Sequence, residues 1–494
     1  MTQPPSDNAS FPGTGADRDT ARRNAVDAHL QQGYGHHQAG DPRTALEHYR
    51  RALDADPGHV DALYLAGVAC FQLLDPAEAE SLLRTALSID SDRSDILINL
   101  GNCLQMQNRL ADAEQASRGA IAADPGIPEA HNNLGNVLKE LGDAEQAEAS
   151  FRRALALDPG YAGALCNLAS SLRGQGKTAE AEEACRRAID LDPDLDAAYI
   201  QLAGLLRERE RFAEAQAAAE KAVAINPKGV EHHAMLASIL HRQGETAAAI
   251  AACDRLLAIR PRDSTILAAK SLLLNDLHGP ETVNPYLDYD RIITTIRFDR
   301  AEGYATLHDF HAALREYAGR HPRLEFEPRF KSTRHGFQAE HLEEDTAAPV
   351  EALKGLIAEA AGRYCERCAK TPGHPLAPPP EALSVSIWVT ILNPTGHQDS
   401  HFHPSAWLSG VYYVALPPAM KRDDNSRAGW IEFGRPADER PYKAPPNLRN
   451  IRPEEGLMVL FPSYLYHRTI PFTGEGPSAA PEQRISIAFD VLAG

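Results

Sequence analysis

The last quarter of the chain holds His401-Phe402-His403, then His467, then Arg484-Ile485-Ser486. In an extended segment, residues two apart face the same way, so His401 and His403 can point together while Phe402 turns to the other face. Neutral imidazoles at that spacing can share one first-row metal ion. His467 ends the stretch Phe461-Pro-Ser-Tyr-Leu-Tyr-His467, just past a strand-like run. Three such ligands leave three positions of an octahedral Fe(II) open for oxygen and a chelating cosubstrate. Arg484 and Ser486 are again two apart and share a face. A guanidinium fork with a hydroxyl beside it suits a carboxylate. If that face is buried, an anion must be present, because an unpaired buried charge is costly. The order therefore predicts a mononuclear Fe(II) site with 2-oxoglutarate held at Arg484 and Ser486. A structural Asp or Glu is the alternative partner for Arg484.

The ligand set stays open at this point. The commoner triad has two histidines and one carboxylate, and His397-Gln398-Asp399 offers a His-x-Asp just before His401. The competing sets are His401, His403 and His467, or His397, Asp399 and His467. A histidine at a strand edge is ordinarily only a polar side chain; three in order, followed by Arg-x-Ser, argue for a site.

These residues need strands to hold them. Runs rich in β-branched and aromatic residues cover Leu383–Leu392, Leu408–Leu416, Trp430–Phe433, Leu457–Phe461 and Ile485–Leu492. Turn residues separate them: Asn393-Pro-Thr-Gly396, Pro417-Pro418, Gly434 and Pro453-Glu-Glu-Gly456. That pattern predicts a double-layered barrel or jelly roll. A helical preface precedes it, with helices near Leu307–Gly319 and over residues 349–369, then a proline-rich break from Pro372 to Pro380. Phe402, Trp407, Tyr412 and Tyr413 either shape the cavity or fill the barrel core, with core expected for at least two.

The first half reads differently. A 34-residue unit recurs from Asp27, Asp61, Asp95, Glu129, Gly163, Ala197 and Glu231 without an insertion. One position holds Gly33, Gly67, Gly101, Gly135, Ala169, Ala203 and Ala237; another holds alanine throughout, from Ala45 to Ala249. Small residues let antiparallel helices approach, and proline near the end of every unit but the second, where Ser91 replaces it, breaks the helix. Each pair has an apolar face that only neighbours can bury, so the units stack into a solenoid. The pattern resembles the tetratricopeptide repeat, which implies binding of a protein or peptide. Asn99, Asn133, Asn167 and Gln201 share one position on successive first helices; they either bond a peptide backbone or are simply solvated.

The expected organisation is multidomain: a disordered tail at 1–26, seven repeats at 27–264, a capping helix and linker at 265–284, and a mainly-β domain at 285–494 with its β core at 383–494. At 494 residues the chain exceeds one core. A net charge of −18 argues against nucleic acid. No 18-residue apolar stretch or signal peptide is seen, so no membrane contact is expected and the location is expected to be cytoplasmic. The odd count of seven cysteines fits a reduced compartment, and Cys365-Glu-Arg-Cys368 reads as two incidental cysteines on a helix.

Three segments carry a second resemblance: His401 to Val414, Gly456 to His467, and Arg484 to Phe489, with Thr333-Arg-His-Gly-Phe-Gln338 ahead of them. Together they resemble a bacterial family of 2-oxoglutarate/Fe(II)-dependent oxygenases over roughly residues 330–494. The resemblance implies a double-stranded β-helix, iron on His401, His403 and His467, and 2-oxoglutarate on Arg484. The family has histidine at the second ligand position, which favours His403 over Asp399. The expected function is a dioxygenase that hydroxylates a protein or peptide recruited by the solenoid. The alternative is a non-catalytic repeat scaffold with a silent β domain.

Overall fold

The protein is described from a computed structural model, which covers residues 15–279, 284–328, 331–421, 427–437, 442–472 and 483–493. It divides into two compact units, Met1–Arg209 and Glu210–Gly494.

In the first unit, helices of 13 or 14 residues alternate from Pro42–Ala55 to Asp196–Glu208. Asp41, Asp75 and Asp143 cap three of the second helices by accepting from the backbone amides of Thr44, Glu78 and Gln146. Pro42 and Pro76 follow two of these caps, where a missing N–H costs nothing. The small residues do the work predicted for them, with a specific counterpart. A Cβ on Gly135 would stand 2.5 Å from the Phe151 ring, and one on Gly33 would stand 2.5 Å from Tyr49. Each bulky side chain on a second helix thus fills the notch left by the glycine opposite.

The leading helix spans Gly15–Gln38. It corrects the expectation of a disordered 1–26, of which residues 1–14 lie outside the described ones. Val26 is buried with Ala52 and Ala62, which is the apolar contact the tail composition concealed. The asparagines take a third course. Asn133 donates to the side-chain oxygen of Asn102 at 2.8 Å, and Asn167 to that of Asn132 at 2.9 Å. Their amides therefore tie neighbouring units together.

In the second unit, helices Phe212–Ile225, Val230–Arg242 and Thr246–Leu257 are followed by Ser264–His278. That last helix contributes Leu267 and Ala268 to the core of the β domain. Its Ser264 hydroxyl donates to the Ala406 carbonyl at 2.8 Å, and Asn275 donates to the Pro445 carbonyl at 3.1 Å.

The strands are β1 Thr294–Arg297, β2 Glu325–Phe326, β3 Thr333–Ala339, β4 Leu383–His401, β5 Leu408–Ala415, β6 Ile431–Phe433, β7 Arg449–Ile451, β8 Leu457–Pro462, β9 His467–Thr469 and β10 Arg484–Ala493. They form one curled antiparallel sheet ordered β1-β8-β5-β10-β4-β9-β6-β7, with β3 on the flank of β4 and β2 on β3. Helix Leu307–Gly319 forms as predicted, opened by a capping box at Thr306 and Asp309. Helix Ala348–Lys370 packs Leu353, Ile357 and Ala360 into the core.

One expected turn is absent. Asn393-Pro-Thr-Gly396 lies within β4, which runs unbroken to His401. The strand bends there: Thr395 has φ 71°, its amide donates to the Phe472 carbonyl, and the pairing with β3 shifts register between Arg334 and Gly336. Turn-forming residues here make a bulge. One half of β4 then pairs with β10, and its far end pairs with β9.

Candidate metal centre and anion pocket

The bend in β4 decides where its last residue lies. His401 is the register partner of His467, the first residue of β9. His403 lies just past the strand, so strand alternation alone does not orient it. Its amide donates to the Ser463 carbonyl at 2.9 Å, which folds it back beside His401. The ring centroids are 4.4 Å apart for His401 and His467, and 5.1 Å for His403 with either. One ligand nitrogen from each lies within 4.8 Å of the others.

Hydrogen bonding sets which nitrogen each ring offers. Nδ1 of His401 meets the Asp399 carbonyl at 2.7 Å, Nδ1 of His467 meets the Leu465 carbonyl at 2.9 Å, and Nδ1 of His403 meets Oδ1 of Asp490 at 2.6 Å. Each Nδ1–H donates to an acceptor, which leaves the lone pair on Nε2; at His401 that nitrogen meets the Ser332 hydroxyl at 3.4 Å. Burial, with the neighbouring rings, pushes the His401 pKa down to about 4 and that of His467 well below its usual value. Those two rings are thus kept neutral, the state in which imidazoles ligate.

The competing carboxylate is elsewhere. Asp399 pairs with Arg334 at 2.8 Å and with His397 at 3.4 Å, and its side chain is 49% exposed.

Arg484 and Ser486 share one face of β10, in the same narrow cavity as the three histidines. Arg484 is 1% exposed. Its Nη1 donates to the Ser486 hydroxyl at 3.3 Å, and its guanidinium lies 5.2 Å from the Tyr413 ring centre. No carboxylate among the described residues pairs with it, and its Nε has no acceptor. The Tyr413 hydroxyl and the Thr390 hydroxyl are likewise buried without a partner. Thr390 and Tyr413 are the two register neighbours of Ser486, so all these unpaired groups gather around one spot. Burial lowers the Arg484 pKa, as expected for a charge lacking its counter-ion. An oxyanion-bearing ligand would give the Arg484 guanidinium the acceptor it lacks. The rest of the cavity wall is mostly apolar, with Val411, Ile431, Phe461 and Ala488.

Of the aromatics, Trp407 and Tyr412 are core. Trp407 stacks edge-on against Tyr364, and the Tyr412 hydroxyl meets Nε2 of His311 at 2.8 Å. Phe402 packs on Tyr466 at 5.0 Å, while Tyr413 belongs to the anion pocket. Sequence reasoning missed Thr390 and Asp490 altogether. A hydroxyl inside the apolar run Ile387-Trp-Val-Thr-Ile391 was the signal for Thr390; nothing local marked Asp490.

None of the seven cysteines is in a disulfide, and burial raises the Cys365 and Cys368 thiols, the latter to about 11.

Comparison with known proteins agrees with both halves. Residues 386–490 match the family model described as "Putative 2OG-Fe(II) oxygenase". Tetratricopeptide repeat models match residues 30–94, 71–137, 132–196 and 200–264. No curated protein matches the chain. Among solved structures it is similar to pilF of Pseudomonas aeruginosa (24% identity, 44% of this chain and 99% of that one, TM-score 0.39). It is also similar to a tetratricopeptide repeat protein from Parabacteroides merdae (19% identity, 51% and 100%, TM-score 0.43).

Proposed function

We propose that this chain, which joins tetratricopeptide repeats to a region matching the model described as "Putative 2OG-Fe(II) oxygenase", is a 2-oxoglutarate- and Fe(II)-dependent hydroxylase of a protein or peptide held by its repeats. The observation that carries this reading is the pairing of two features in one cavity: three converging imidazoles and a buried arginine with no acid of its own.

Iron with 2-oxoglutarate supplies the oxidation of a C–H bond by O2, with succinate and CO2 as co-products. The chain's own part is positioning. His401, His403 and His467 offer Nε2 to the ion. Arg484 takes the distal carboxylate of the cosubstrate by charge-assisted hydrogen bonds, and Ser486, Thr390 and Tyr413 stand close enough to add hydroxyl donors. Phe461, Val411 and Ile431 keep water from the inner end. The outer mouth is wider and polar, walled by Ser332, Gln338, Trp388, Gln398 and Ser405. Amide and hydroxyl groups of that kind suit a peptide, which carries a donor and an acceptor at every residue. The repeats support recruitment because such solenoids bind along an extended surface.

Anaerobic titration with Fe(II) and 2-oxoglutarate tests the reading. The expected result is a visible metal-to-ligand charge-transfer band that saturates at one equivalent of each. Its absence would sink the proposal. Mass spectrometry of proteins retained by the full chain, looking for a gain of one oxygen atom, tests the substrate class.

A further inference from the structure

We propose that Asp490 is a positioning residue that turns His403 into the electronic equivalent of the carboxylate ligand found in the commoner His-x-Asp pattern. This rests on the iron reading above.

Three neutral imidazoles bring no charge to a dication, whereas two imidazoles and a carboxylate bring one negative charge. The missing charge is found one hydrogen bond further out. Oδ1 of Asp490 accepts from Nδ1 of His403 at 2.6 Å and from the Ser409 hydroxyl, also at 2.6 Å. Ser409 is fully buried and is the register partner of Asp490 across β5 and β10. The carboxylate is therefore held in one orientation by the sheet itself. The side chains of His403 and Asp490 are only 13% and 17% exposed, so water screens the contact weakly.

The other two rings lack this arrangement. His401 and His467 donate to main-chain carbonyls, which are uncharged. Among the described residues no lysine or arginine pairs with Asp490, and His403 is the one of the three rings that hydrogen-bonds to it. A carboxylate accepting from Nδ1–H raises the basicity of Nε2 and fixes the ring. It does so at the one ligand position where histidine stands in place of an acid.

The strand that carries Asp490 also carries the anion pocket. Arg484, Ser486, Ala488 and Asp490 alternate along one face of β10, and the first three line the site cavity. One strand thus places a cation for the cosubstrate at one end and an anion for the metal at the other.

The test uses Co(II), whose d–d absorption reports ligation without turnover. In the full-length protein, Asp490→Asn keeps size and an acceptor but removes the charge. The expected result is a 10- to 100-fold loss of Co(II) affinity, roughly the range for such outer partners, with a shifted d–d band. Ser409→Ala, which frees the carboxylate without deleting it, is expected to lose several-fold, roughly the low end of that range. It also serves if the first variant folds poorly. In a His403→Asp background the same Asp490→Asn change is expected to cost nothing or to raise affinity, since two carboxylates would then face each other. Equal Co(II) affinity in folded wild-type and Asp490→Asn protein overturns this inference alone. A wild-type protein that binds no Co(II) overturns the iron reading and this inference with it.

Discussion

His401 and His467 face each other directly across the β4–β9 ladder, with ring centroids 4.4 Å apart. Two imidazoles so placed repel when protonated and gain when a cation sits between them. His467→Ala should abolish tight iron binding, a loss of at least about 100-fold, while the metal-free protein melts no lower than wild type. Metal analysis after anaerobic loading, with a thermal melt of the metal-free protein, checks both halves.

Arg484 makes a second, opposite pair of expectations. Arg484→Met removes a buried cation without a partner, so the cosubstrate-free protein should gain stability, on the order of 1–3 kcal/mol. The same change should eliminate 2-oxoglutarate binding. Thermal melts with and without 2-oxoglutarate decide it: wild type should shift upward with ligand, and the variant should not. A variant still stabilised by 2-oxoglutarate would refute the anchor.

Acid sensitivity follows from histidines whose surroundings disfavour the charged ring. Burial, as the leading cause, depresses His311, His374 and His401 to about 4 from a usual 6.5. Between those limits the unfolded chain binds more protons than the folded one, so stability is full above about 6.5 and falls as pH drops toward 4. The metal-free protein should lose roughly a few kcal/mol over that window. Denaturant melts at pH 7.5, 5.5 and 4.5 measure the slope; a flat profile would contradict the burial of these rings.

In the repeats, two glycines at equivalent positions should behave differently. Gly135→Ala drives a methyl against Phe151 at 2.5 Å, whereas Gly101→Ala meets only the Ser117 hydroxyl at 3.3 Å. The first should destabilise by about 1–3 kcal/mol through overpacking. The second should be near neutral, because better helix propensity, worth up to about 1 kcal/mol, offsets the tight contact. Melting temperatures of the two variants check this.

The grouping of the candidate site residues was legible in the chain because they cluster. His401 and His403 are neighbours, and Arg484 and Ser486 declare a shared face through strand alternation. Helix Leu307–Gly319 was legible for a similar reason, since its cap and its apolar spacing are local. What stayed hidden depends on register. Asp490 lies 87 residues from His403 in sequence, and only the β5–β10 alignment brings it there. His403 itself reaches the site through a backbone bond to Ser463, not through the alternation that first suggested it. Short strands such as β7 and β9 hold three residues each, too few for a period to show. At Asn393-Pro-Thr-Gly396 local turn preference lost to the ladders on either side.

Helix Ser264–His278 has repeat-like looks but lends Leu267 and Ala268 to the interior of the β domain. A modular reading would cut the gene after residue 279 and expect an independent enzyme. Such a fragment would lose the partner that covers one flank of its core and expose apolar surface there. The β domain is thus not a detachable cassette.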